Sequence, residues 1–195
     1  FGRDRPYAEP PRYTICRQVA SWLLKTSVPE YQAGRPECRG KGPLPEEVWD
    51  EICLVLDLPQ EVPQGLTSQP KPSGYFQEYR SFFGTCISAW HGRSFPPGTD
   101  EDVPVSSERT GITGSVDIYD HTTGAFTVVR ASGAPPHGVW ASDRVRVTAY
   151  LHALAETFPE QAGTRQGLVA YVPDGVIRTH VPSARDHRVL IRTVR

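Results

Sequence analysis

At 195 residues the chain is one domain's worth of sequence, long enough to bury a core and short for two. Its charges nearly cancel, 21 Lys+Arg against 22 Asp+Glu, which excludes a global field strong enough to hold nucleic acid or an anionic membrane; a polyanion must be met locally. No apolar run approaches the roughly eighteen residues of a membrane span, the 17 Gly and 19 Pro follow no collagen or solenoid period, and the opening FGRDRPYAEPPRY lacks a secretory leader's apolar core, so the expectation is a soluble, cytoplasmic protein with no membrane partner.

In chain order, Ile15, Val19, Trp22 and Leu23 fall three and four apart and predict one apolar helix face. Val28 to Pro45 reads as loop, with Pro and Gly recurring throughout. A second helix is predicted from Glu46 to Leu56, its Glu46 and Glu47 in the first turn, where the helix dipole favours acids. A Pro/Gly-rich connection leads to a third, Tyr75 to Trp90, with a broad aromatic face of Tyr75, Phe76, Tyr79, Phe82, Phe83 and Trp90. The following FPPGTDEDVPVSS reads as a turn-rich acidic segment.

Strand texture begins at Gly111. Ser115 to Tyr119 alternates, Asp120 to Gly124 is turn chemistry, and Ala125 to Ala131 is rich in β-formers, which together predict a hairpin. Ser142 to Phe158 is the clearest helix, with Ser142 as its N-cap and Val147, Tyr150, Leu151, Leu154 and Phe158 along one side. Pro159 stops it. Leu168–Val172 and Val176–Val181 flank the turn Pro173-Asp174-Gly175 as an antiparallel pair. The expected architecture is a single α/β domain: a helical region over residues 1–97, then a central mixed sheet of β-β-α-β-β order over 98–195.

Dinucleotide, P-loop, zincin and α/β-hydrolase signatures are absent from the sequence. Cys16, Cys38, Cys53 and Cys86 form no C-x-x-C pair; they read as buried free thiols rather than zinc ligands. Asp120 and His121 lie in the hairpin turn, and His137, His152, His180 and His187 have no ligand spacing, so they read as surface or packing residues.

The segments GITGSVDIYD, FTVVRASG, SDRVRVTAYLHAL and GLVAYVPDGVIRTHVP carry a resemblance. They look like the RecB-like branch of the PD-(D/E)XK nuclease superfamily, close to the CRISPR-associated exonuclease family, which implies a restriction-endonuclease-like fold. In that family a strand Asp and the acid of an acid-x-Lys on the next strand hold a divalent ion, the Lys stabilises charge that develops in the transition state, and a Gln-x-x-x-Tyr follows on a helix. The ion polarises a phosphate and lowers the pKa of the attacking water. On this resemblance Asp117 falls on the first metal carboxylate, Tyr150 on the helix Tyr and His91 on an upstream His. The match then breaks: Arg130 stands where the second acid should be, Ser132 where the Lys should be, and Arg146 for the Gln.

Replacing a carboxylate by a guanidinium turns the local charge from negative to positive, so the pocket repels Mg²⁺ instead of holding it. Arg130 is placed to pair with Asp117 across the hairpin. The family's iron–sulfur cluster, held by one N-terminal and three C-terminal cysteines, is not expected, since no Cys follows Cys86. The expectation is a non-catalytic protein that binds DNA or a protein partner, with Arg130, Arg144, Arg146 and Tyr150 as contacts and no cofactor. From residue 161 onward six Arg face only Asp174 and Asp186, a local excess of positive charge. The alternatives are a divergent Mg²⁺ or Mn²⁺ exonuclease, with metal on Asp117 and help from Asp120, His91 or Glu108, and a scaffold that binds no DNA.

Overall fold

A computed structural model describes residues 12–26, 46–56, 74–161 and 163–194. The chain divides into two compact units, residues 1–95 and 96–195.

In the first unit the described elements are helices α1 (Arg12–Lys25), α2 (Glu46–Leu56) and α3 (Gly74–Ala89). Helix α1 touches both of the others. The spacing read from the sequence is the packing face: Ile15, Val19, Trp22 and Leu23 are buried with Val48, Trp49 and Ile52 of α2 and Phe83 and Ile87 of α3. The Trp49 and Phe83 rings meet edge to face at 5.6 Å, the geometry that aromatic quadrupoles prefer. Cys16, Cys53 and Cys86 are buried thiols that form no disulfide; Cys38 and the predicted loops around it lie outside the described residues.

The second unit is a five-stranded mixed sheet in the order β1-β2-β3-β4-β5, formed by β1 (Asp100–Ser107), β2 (Ile112–Tyr119), β3 (Phe126–Arg130), β4 (Gly167–Tyr171) and β5 (Val176–His180). Neighbours run antiparallel except β3 and β4, which are parallel. A parallel pair needs a crossover, and helix α4 (Ala141–Thr157) supplies it. The α/β class and the helices-then-sheet order therefore stand.

Two local expectations change, and one helix is added. The acidic segment read as turn is strand β1, pairing with β2 from Asp100↔Tyr119 to Ser107↔Ile112. Its inward positions Val103, Val105 and Ser107 alternate as a half-buried strand must, while its acids and Pro104 are exposed at the sheet edge, where Pro and charge discourage further pairing. The N-cap of α4 is Trp140, with no side-chain cap hydrogen bond, and Ser142 is an exposed residue of its first turn. The Arg-rich tail forms a further helix, α5 (Ala184–Thr193), opened by a capping box in which Ser183 and Asp186 exchange side-chain and backbone hydrogen bonds.

Helix α4 lies on the sheet over Val103, Val116, Tyr119, Phe126, Val128 and Val169. Gly167 makes the close fit possible: a Cβ there would collide with the Phe126 ring and stand 2.8 Å from Val147 Cγ1. The last turn of α4 is tied to the edge strand, since Ser107 Oγ donates to Glu156 Oε1 at 2.6 Å and Ser106 N–H donates to Thr157 Oγ1 at 3.1 Å. No helix among the described residues is long and apolar enough to cross a membrane.

Candidate functional site

Asp117 sits on β2, 4% exposed, and its Oδ2 accepts the Val129 backbone N–H of β3 at 2.9 Å. The β1–β2 ladder has Cα partners on either side of the level where Asp102 would face Asp117, and Asp102 there takes a left-handed φ of 55°. Such a conformation is uncommon for a residue with a Cβ and marks a local break in regular pairing.

Arg130 ends β3 one residue beyond Val129. It pairs with Asp143 and not with Asp117, contrary to the sequence expectation: Nε lies 2.8 Å from Asp143 Oδ1 in the first turn of α4. The approach is close but not linear, an ion contact more than a directed hydrogen bond. Asp143 is fully buried and its second oxygen, Oδ2, accepts the Tyr171 hydroxyl at 2.7 Å; Tyr171 Oη in turn accepts the Trp140 N–H at 3.2 Å. Burial and the Asp143 carboxylate push the Tyr171 phenol well above its ordinary range, which keeps the proton in place for donation. The helix dipole adds to the cage, because Asp143 lies where the first turn's N–H groups leave positive charge. One carboxylate thus ties β3, α4 and β4 together.

The other predicted residues distribute around this corner. Tyr150 is half-buried on α4, its ring 3.4 Å from where a Cβ on Gly114 would stand and edge-on to Phe126 at 6.3 Å between centroids. Arg146 is exposed one turn before it. Arg144 is exposed too, but two residues along a helix means about 200° of rotation, so it points away from Arg146. Its charge acts on His180 and Asp186 instead. His91 is exposed in the turn that ends α3, its N–H donating to Ser88 O, and belongs to the first unit.

Of the helpers proposed for a metal, His91 belongs to the first unit, Glu108 is exposed in the β1–β2 turn, and Asp120 is committed elsewhere. Asp120 organises the β2–β3 turn, accepting Thr122 N–H at 2.8 Å and the Thr123 hydroxyl at 2.7 Å, and these bonds, the Thr123 hydroxyl foremost, hold its carboxyl below the usual range. His121 reaches Asp100 at 2.8 Å. A divalent ion of nuclease type needs several carboxylate oxygens around it. Asp117 has one oxygen engaged by backbone, the adjacent strand offers a guanidinium, and among the described residues no three His, Cys, Asp or Glu side chains are placed to hold a metal ion. These residues do not fit the family's catalytic metal.

Two features escape the sequence reading. Trp140 is 44% exposed, with its indole Nε1–H donating to Gly133 O at 2.8 Å. His152 of α4 and His187 of α5 meet at 3.0 Å between Nε2 and Nδ1. The S-A-R-D capping pattern at residues 183–186 is the signal that reveals α5; no sequence signal distinguishes an exposed Trp before a helix from a buried one. A cleft of about 540 Å³ lined by Thr123, Phe126, Glu160, Thr164 and Arg165 lies at the opposite end of β3 from Arg130. No protein-family model and no curated protein matches this chain, so the likeness to the nuclease superfamily rests on the motif residues quoted above.

Proposed function

We propose that this chain is a non-catalytic, DNA-associated module on a nuclease-like fold, in which an ion pair stands where a nuclease would carry its second metal carboxylate. The observation that carries this reading is a division among the cations. Arg130 is neutralised by a buried carboxylate. Arg144, Arg146, Arg185, Arg188 and Arg192 are exposed, and none has an ion-pair partner among the described residues.

Three of these form a stripe. Arg185, Arg188 and Arg192 lie at i, i+3 and i+7 on the outer side of α5, opposite the buried Asp186 and Leu190. The one acid of that helix is turned inward. Burial works against its charge, but the Ser183 N–H and hydroxyl, with His180 and Arg144, hold the Asp186 carboxyl below the usual range. It does little to cancel the stripe. Guanidinium groups in such rows suit the phosphate backbone, and their displacement of condensed counterions makes affinity fall steeply with salt.

Binding to single-stranded and duplex DNA across a salt series tests the reading. The expected result is a strong negative slope of log affinity against log salt, of about one unit for each phosphate neutralised. A protein that binds no DNA at low salt, or that cleaves it when magnesium is supplied, contradicts the proposal.

A further inference from the structure

We infer that Trp140 is a stacking platform for an unpaired nucleobase, so that the DNA recognised at this corner is single-stranded; this rests on the DNA-binding reading above and names its substrate. The chain has four tryptophans. Trp22, Trp49 and Trp90 are at most 5% exposed and belong to the core of the first unit, whereas Trp140 is 44% exposed. Its exposure is not that of a loose side chain. The indole N–H donates to Gly133 O at 2.8 Å and the backbone N–H to Tyr171 Oη, so the ring is held by its polar edge and leaves apolar surface to solvent.

The position itself is informative. Trp140 is the N-cap of α4, a place where Ser, Thr, Asp or Asn would bond a free N–H of the first turn, and its side chain makes no such bond. Neither capping nor core packing accounts for an indole there. The surroundings suit a phosphate-bearing ligand. The exposed Arg144 follows one turn later, its backbone N–H bonded to Trp140 O at 3.0 Å. Of the acids at this corner, Asp143 is buried against Arg130 and Tyr171, while Asp174 is exposed and its Oδ2 accepts the Ala134 N–H at 2.7 Å.

An aromatic face that meets a base needs that base out of a duplex, because paired bases are already covered above and below. Salt-dependent contacts hold any DNA; stacking adds a preference for the single strand.

Intrinsic fluorescence of the full chain reads this directly, since Trp140 is the exposed emitter among four. Oligothymidylate should quench it saturably, and a duplex of the same length should not. Trp140→Ala should weaken oligothymidylate binding about tenfold while leaving the salt slope unchanged, and Trp140→Phe should restore most of the affinity. Duplex binding by either variant should match the parent protein, which separates a lost stack from a damaged fold. Single strands that bind without quenching, and bind Trp140→Ala equally well, would overturn the platform and leave the DNA-binding reading intact. No binding of either DNA form at low salt overturns both.

Discussion

The two ends of α4 are fastened to their neighbours at different depths, one in the interior and one near the surface. At its start the helix is fastened to the sheet by full charges: Asp143 faces Arg130 at 2.8 Å and takes the Tyr171 hydroxyl at 2.7 Å. Toward its end the contacts are more exposed: the Glu156 carboxylate accepts the Ser107 hydroxyl of β1 and lies 3.5 Å from Arg109 Nε, Thr157 accepts the Ser106 N–H, and His152 meets His187 of α5 at 3.0 Å. The buried ion pair fixes one strand-to-helix geometry, because either charge left alone in that interior is costly. The histidine contact holds only while at least one ring can accept a proton from the other. The corner built on Asp143 is thus the rigid end of the helix, and the adjustable end lies beside the Arg-bearing α5.

Breaking the charged end should have the largest effect. Asp143→Ala leaves Arg130 buried without a counter-charge and removes the acceptor of Tyr171; a loss of about 3–5 kcal/mol in urea unfolding is expected. The double change Arg130→Met with Asp143→Leu should recover most of that loss, since it removes both charges together; a double variant as unstable as Asp143→Ala would show that the pair's role is shape and not charge.

Gly167→Ala comes next. The added methyl enters space held by Phe126 and Val147, so a cost of about 1–3 kcal/mol is expected by thermal or chemical unfolding. A neutral outcome would mean the helix seat is looser than its contacts indicate.

The titratable end should respond to pH. Burial, then the neighbouring His187 and Arg109, hold His152 below its ordinary value of 6.5, with Glu156 opposing weakly. A depressed histidine is neutral in the folded state and gains its proton more readily in the unfolded one, so its contribution is present above the ordinary value and is lost as pH falls below it. The melting temperature should drop between about pH 7.5 and about pH 5.5, and His152→Gln should reduce that drop, leaving the part that belongs to His180, which burial depresses as well. An equal slope in the variant would place the sensitive group elsewhere. Smallest of all, Arg188→Ala on the exposed stripe should change stability by less than about 0.5 kcal/mol, yet reduce the salt slope of DNA binding by about one.

Much of this architecture was readable in advance where one periodicity dominates. Ile15, Val19, Trp22 and Leu23 marked the buried side of α1, and Val147 and Leu154 that of α4. The D-H-T-T-G run marked the β2–β3 turn, where Asp120 bonds Thr122 and Thr123 and Gly124 takes a φ of 67°. What stayed hidden was either disguised or non-local. Strand β1 carries its acids and Pro104 on exposed edge positions, which resembles a turn in composition. Helix α5 buries only Asp186 and Leu190, too few for an apolar period. Arg130 was matched with Asp117, the acid across the nearest hairpin, but its partner comes from a helix after a further loop, and only the crossover brings that carboxylate to the end of β3. Trp140 carried no pattern at all; its exposure is a property of the packed corner.

Calorimetric titration of the full chain with Mn²⁺, run beside Asp117→Ala, is the most direct test of the claim that this corner is an ion-paired lock. The account predicts identical, site-free traces for the two proteins. A saturable binding heat in the parent chain that Asp117→Ala abolishes would contradict it.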